Sequence, residues 1–413
     1  MTKKCMLVAG VVCVLETLAE PVKVSERFGF DPNDSTKIIQ RALDSKLPEI
    51  VLDRQATPWV SGPLLGRSNQ TLYFEDGVEL RAKKGEFPQT VHPLIRYDSV
   101  SNVAIVGLGP RGGVCRMRKD DYHKFPYRPA EWRHGIMFVN AVNFRAENMT
   151  IIESGGDGVD ILGGKCRNGV IRRVTCDRNN RQGLSVEGCT GLLIEDCVFM
   201  NTKGTPPEAG VDFEPYQVNQ PMTGIVMRNC RIENNGGNGV DSWTGASDGR
   251  TPPYDITVEN CIISGNNNAI RIGGSIWWDP AIAKNGLPGG LFTFRNCLLE
   301  KSRRHAVLLE AMPKSMRVEF HGCTAQDNDG GHENTDVRLR GYPPDGCIKG
   351  STLPNNILFK DFVVRQPKPR SWAKCEVVTD LTPTLLDNVR GSVRVVDPKG
   401  EKTVEFASGA KGR

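Results

Sequence analysis

The chain has 413 residues, 44 of them glycine, only 7% aromatics and a formal net charge of +5. That balance permits a polyanionic partner without requiring one. No run of Lys or Arg is dense enough for a nucleic-acid footprint, and no motif of that class is present.

Residues 1–20 start basic and continue into a short apolar stretch, Cys5 to Leu15, with small residues near Ala19. This pattern is expected of a secretory signal, and with it a secreted or periplasmic location. No later stretch is long enough for a membrane span. Residues 21–413 are then expected to form a single domain.

Residues 32–46 carry Ile38, Ile39 and Leu43 on one helical stripe after an Asp/Ser/Thr start. They are expected to form a helix that caps the open end of a solenoid core. Strands are expected at Glu49-Ile-Val-Leu, Gln70-Thr-Leu-Tyr-Phe and Val78-Glu-Leu-Arg. The basic, aromatic stretch 113–134 reads as a loop folded over the outer face near Met137 and Asp160.

From Gly135 to Glu310 one short pattern recurs seven times, beginning at Gly135, Gly158, Gly183, Gly210, Gly239, Ala269 and Ala306. Each copy is a small residue followed by strict alternation, the mark of a half-buried strand. Successive copies lie 23, 25, 27, 29, 30 and 37 residues apart, a solenoid period. One face is apolar (Val159/Ile161, Leu184/Val186, Val211/Phe213). The other carries Asp160, Ser185/Glu187, Asp212/Glu214, Asp241/Trp243, Arg271 and Glu310.

A second strand recurs behind Cys197, Cys230, Cys261, Cys297 and Cys323, and a third precedes it. Asparagines at 179, 201, 234, 266 and 328 are expected to stack at one corner. The thirteen cysteines contain no CxxC pair, which argues against structural zinc. The five in one column are expected to be buried thiols, with strained disulfides between neighbours as the alternative. Core coils are expected over 135–328 and closing strands over 355–407, including a hairpin at Asp397-Pro-Lys-Gly. The fold class is all-β: a right-handed parallel β-helix solenoid with an N-terminal capping helix.

Over roughly residues 28–365 this pattern resembles the pectate-lyase-like β-helix superfamily, which includes polygalacturonases, pectate lyases, carrageenan-degrading enzymes and alginate epimerases. The resemblance implies a polysaccharide or oligosaccharide partner, and the net charge allows it to be anionic. Gly156-Asp157-Gly158-Val159-Asp160-Ile161 is similar to the Asn-Thr-Asp-Gly-Ile-Asp stretch of polygalacturonases, which matches Asp157 to one of their catalytic aspartates. The following coils depart from that family. Arg181-Gln-Gly-Leu-Ser stands where an Asp-Asp pair is expected, and Ala209-Gly-Val-Asp where Gly-His-Gly is expected.

Adjacent coils lie about 4.8 Å apart, so the outward acids form a patch on the order of 10–15 Å across. Like charges raise one another's pKa, and a carboxyl kept protonated can act as a general acid. The residue reading is therefore glycoside hydrolysis. Asp212 and Asp241 form the expected pair, with Glu214 and Asp160 as alternates. Substrate contacts are expected from Arg271, Glu187, Trp243, Asp157, Arg181, His134, Tyr216, Trp277, Trp278 and Glu310. Tyr254, on another insert, is read the same way. No metal or other cofactor is expected for hydrolysis. The alternative is a uronate lyase or C5-epimerase, in which the acids hold Ca²⁺ and Arg181, Arg271, His134 or His305 serves as base. A non-catalytic carbohydrate-binding β-helix is the third reading.

Overall fold

The computed structural model describes residues 20–273, 285–310, 312–313, 315–341, 356–377 and 389–406. The expected signal (residues 1–20, all but the last) and both Trp277 and Trp278 lie outside the described residues. The chain winds as a parallel solenoid with three strands per coil. Eleven parallel strands, from Leu64–Leu65 to Ala373–Val377, form one continuous sheet, here called the front sheet. The other two arrays run from Val22–Lys23 and from Trp59–Ser61, and both merge on the long strand Ile357–Arg365, which pairs in parallel with Val389–Asp397 beyond it. The winding starts earlier than the expected first core coil, because Leu64–Leu65 and Ile95–Asp98 are front strands too.

The register is set by the pleat. Inward residues Ile136, Phe138, Val159, Ile161, Leu184, Val186, Val211 and Phe213 are all fully buried. A slip of one residue would turn this whole set outward, so the alternation itself enforces the stacking. Ser242 is the polar member of the inward set, and its hydroxyl donates to the Phe213 carbonyl at 3.0 Å. Towards the C-terminal end the core becomes an aromatic stack, Phe294–Phe320–Phe359, with centroids 5.2 and 5.3 Å apart and planes 15° and 8° from parallel.

The capping helix is Thr36–Asp44, shorter than the expected 32–46, with Ile39, Ala42 and Leu43 buried. It starts four residues later than expected, and Asp34, just before it, accepts from the Thr36 N–H at 3.0 Å. A five-residue helix, Val24–Phe28, precedes it. At the other end Val389–Asp397 and Gly400–Phe406 form the expected hairpin, antiparallel with Asp397 opposite Gly400.

The stretch read as a loop from 113 to 134 begins as a strand, Gly113–Arg116, followed by a single turn at Lys119–Asp121. Its charges masked a short alternating segment in which Cys115 faces the core.

The asparagines separate into two columns. Arg178, Asn201, Asn234, Lys301 and Asp327 adopt positive φ at the corner, with Gly265 at the equivalent place. The next residue of each coil (Asn179, Thr202, Asn235, Asn266, Ser302, Asn328) points inward and is buried. Asn235, Asn266 and Asn328 each accept from the backbone N–H of the preceding coil, at 2.9–3.0 Å. The expected list of five had mixed these columns, because Asn suits both the left-handed corner and the buried bridge.

The nine cysteines whose side chains are described are all free and buried. In the column Cys197, Cys230, Cys261, Cys297 and Cys323, each thiol donates to main-chain carbonyls, as Cys197 does to Glu195 at 3.2 Å.

Candidate active site on the front sheet

Register places the outward residues in one file: Asp160 beside Ser185, then Asp212, Asp241, Arg271 and Leu308. This is the order expected from the repeat. Its surroundings differ from the expectation, because the face is not open to water. Asp160 is 1% exposed, and Asp212 and Asp241 are 3% exposed.

A second polar file stands one residue before each small residue: His134, Asp157, Gln182, Ala209, Asn238, Asn268 and His305. The pairing of Gln182 with Ala209 fixes its register. Gly156 lets the covering segment sit down on this file, since a Cβ there would lie 2.4 Å from the Glu131 carbonyl oxygen.

At the N-terminal end His134 lies between two carboxylates, with Nδ1 3.1 Å from Asp157 and Nε2 3.7 Å from Asp160. Its Nδ1 also accepts from the Asp157 backbone N–H at 3.1 Å. Burial opposes the imidazolium, but Asp160 and Asp157 outweigh it and hold the His134 pKa above its ordinary value. Asp160 is itself pushed up to about 7: burial dominates, His134 opposes, and Asp157 and Glu214 add to the rise.

In the middle coil Arg181 grips Glu214 with two parallel bonds of 2.7 and 3.1 Å and reaches the Tyr216 hydroxyl at 3.0 Å. Gln182 donates to both Asp212 Oδ2 (2.9 Å) and Glu214 Oε1 (2.6 Å). Ser185 adds a bond to Glu214 at 3.2 Å. Asp212 keeps Oδ1 buried without a partner. Burial, then the charges of Glu214 and Asp241, push the Asp212 carboxyl well above the usual range.

Asp241 is treated differently. Asn238 donates to its Oδ2 at 2.8 Å and Arg271 to its Oδ1 at 3.1 Å. Arg271 also binds Glu310 at 2.8 Å, and Asn268 braces Asn238 at 2.8 Å. Glu187 stands apart from these networks. Burial, then Asp160, Glu214 and Asp157, push it up to about 10.

Asp160, Asp212, Asp241, Glu214, Glu187, Asp157, Arg181, His134, Arg271, Glu310 and Tyr216 therefore gather on one face. Tyr216 is 45% exposed at its edge, and Trp243 is half-buried on its strand. Two residues read as candidates elsewhere in the sequence do not join them. Tyr254 is a core residue, packed on Phe292 and bonded to the Ser247 hydroxyl at 2.8 Å. His305 is fully buried, its Nδ1 bonded to the Thr335 carbonyl at 2.9 Å. Gln182, Asn238 and Glu131 were missed. The first two were visible in the pattern, each standing directly before a repeated glycine. Among the described residues, no three His, Cys, Asp or Glu side chains converge to hold a metal ion.

Residues 130–277 match the family described as right handed beta helix region. Two Bacillus subtilis (strain 168) proteins align with parts of the chain. The SPbeta prophage-derived uncharacterized protein YorA is 28% identical over 163 residues, 35% of this chain and 27% of the relative. The uncharacterized protein YclG is 24% identical over 146 residues, 31% of this chain and 24% of the relative. The aligned stretch is thus about a quarter of the length of these curated relatives.

Among solved structures, a hyperthermoactive exopolygalacturonase from Thermotoga maritima superposes with a TM-score of 0.60 at 14% identity, covering 93% of this chain and 94% of that one. The A-module of a mannuronan C-5 epimerase from Azotobacter vinelandii gives 0.58 at 15% identity, covering 91% and 93%. The tailspike of E. coli bacteriophage HK620, solved with a pentasaccharide, gives 0.60 at 14% identity, covering 87% and 66%. Coil by coil and by these likenesses, the protein is a right-handed parallel β-helix.

Proposed function

We propose that the protein is a carbohydrate-active enzyme and that its chemistry is hydrolysis of a glycosidic bond by Asp212 and Asp241. The observation that carries this reading is the contrast between two carboxyls paired across adjacent strands. Asp212 is buried, faces two other acids and has a free oxygen for a proton. Asp241 accepts hydrogen bonds from Arg271 and Asn238, one on each oxygen. Environments that push neighbouring acids apart assign one as acid and the other as base or nucleophile. Asp212 would protonate the leaving oxygen. Asp241 would activate water or attack the anomeric carbon. The likeness to an exopolygalacturonase and to a tailspike solved with a pentasaccharide supports a saccharide in this groove.

One observation favours a second reading. His134, held by Asp157 and Asp160, is placed as a base for removing the proton beside a uronate carboxyl, as in a lyase or C5-epimerase. Ca²⁺ would be the expected aid there, balancing the uronate charge.

A product assay on neutral, uronic and sulfated polysaccharides, with and without a chelator, separates the two readings. New reducing ends without unsaturated-uronate absorbance, surviving the chelator and lost in Asp212→Asn, support hydrolysis. Absorbance that the chelator abolishes overturns it. For the hydrolase, activity should fall on the alkaline side as Asp212 gives up its proton, so its raised pKa sets that limb of the pH profile.

A further inference from the structure

Gln182 is fully buried, and its side chain touches both Asp212 and Glu214 of the following coil. We propose that it is a positioning residue, which fixes the acid proton of Asp212 on Oδ1 and keeps it from passing to Glu214; this rests on the hydrolase reading above and deepens it.

The contact follows from the register. Gln182 pairs with Ala209 of the next coil, the smallest member of the polar file. Asp212 and Glu214 stand just beyond Ala209 on that coil. With only a methyl group at 209, the carboxamide crosses one coil and reaches both acids. Its nitrogen lies 2.9 Å from Asp212 Oδ2 and 2.6 Å from Glu214 Oε1. A larger residue at 209 would stand in its path.

The direction of the carboxamide is set by its neighbours. Glu214 Oε1 already accepts from Arg181 at 2.7 Å and from Ser185 at 3.2 Å, so a donor has to face it. That turns the NH₂ end toward the two acids and leaves the Gln182 carbonyl oxygen buried with no partner. An orphaned buried acceptor opposes folding, and this one is kept in an orientation that serves the acids.

One N–H goes to each acid. An oxygen that accepts an amide N–H does not point its own hydrogen along the same line. Oδ2 is therefore the carbonyl oxygen of the Asp212 carboxyl, and Oδ1 is its hydroxyl. Oδ1 is the atom with no partner in the protein, so its hydrogen is free for a leaving oxygen. The same amide stands between Oδ2 and Glu214 Oε1, and close carboxyls otherwise share a proton. The charged groups around Asp212 are Glu214 on its own coil, Asp241 on the next, Arg181 on the previous one and Arg271 two coils on. Among the described residues, none of these four bonds an Asp212 oxygen, so Gln182 is what orients it.

Infrared difference spectra read this carboxyl without a substrate. At neutral pH, wild type minus Asp212→Asn isolates the C=O stretch of protonated Asp212. The expected band lies at the low wavenumber of a C=O that accepts a hydrogen bond. It should shift to higher wavenumber in Gln182→Met, which keeps the length and removes the donor, again measured against the same variant carrying Asp212→Asn. Circular dichroism checks the fold. Ala209→Leu, which leaves Gln182 in place and blocks its path, repeats the test should Gln182→Met not fold. Ser185→Ala loses a bond to Glu214 alone and should leave the band unmoved. A wild-type band at the wavenumber of an unbonded C=O overturns the proposal, as does an equal shift in Ser185→Ala. A band unmoved in the folded Gln182 variant overturns the role of Gln182 and leaves Asp212 as the acid. No Asp212 band at neutral pH overturns the acid reading itself, and the proposal with it.

Discussion

Two columns of this solenoid have the same spacing and differ in every other respect. Behind the core, five cysteines stack with nothing between them, and each thiol finds a main-chain carbonyl. On the front, the corresponding file reads Asp160, Ser185, Asp212, Asp241, Arg271. Its members change from coil to coil, and Asp160 and Asp212 each keep a buried oxygen with no partner. A uniform, satisfied column stabilises the stack. A varied column with unmet polar atoms is held against its own solvation cost, and such sites are where chemistry is found.

The comparison is most sharply broken at Asp212. Its replacement by Asn should reduce turnover about 10²–10⁴-fold while binding persists, as initial rates and titration would show. Wild-type rates in Asp212→Asn would remove the front column from the chemistry. Next in size, Arg181→Ala strands Glu214 as an unpaired buried anion and should cost about 3–5 kcal/mol in chemical denaturation. Arg181→Ala/Glu214→Ala should recover part of it, because both charges then go. An unchanged midpoint in the single variant would mean that the pair contributes nothing.

A pH-dependent effect follows from Glu187. Its folded pKa, near 10, lies above the unfolded value of about 4.3. The folded protein keeps a proton that the unfolded chain releases. That advantage is complete below the unfolded pKa and is lost as pH rises through the folded one. Glu187→Gln should therefore raise Tm relative to wild type at about pH 9 and leave it unchanged at about pH 4. A gain of the same size at both would rule out titration as the cause. The smallest effect belongs to the other column. In Cys261→Ser the hydroxyl can donate to the carbonyl that accepts from the thiol, and stability should stay within about 1 kcal/mol.

The solenoid was legible because its signal is repeated: alternation after a small residue, seven times, leaves one way to stack the coils. The contents of the acidic column followed from the same register. Its burial did not, because the segments that cover it, such as Glu131 to Arg133 and Tyr216, lie between repeats and carry no periodicity. Gln182 and Asn238 were readable but lie one residue outside the strand pattern. The asparagine columns were confused by a single position, since the left-handed corner and the buried bridge favour the same side chain. Tyr254 looked like a loop aromatic from its neighbours, yet it opens the strand Tyr254–Glu259 and packs inward.

The left-handed corner has a consequence for how such a molecule can change over generations. With Arg178, Asn201, Asn234, Gly265, Lys301 and Asp327 each turning the chain at the same point, the scaffold behaves as a countable unit. It can lengthen only by whole coils. Extra residues must leave at the margins of the front sheet, where they owe nothing to the stacking. The front face can thus drift through point changes and indels there, while the stacked framework keeps its fold.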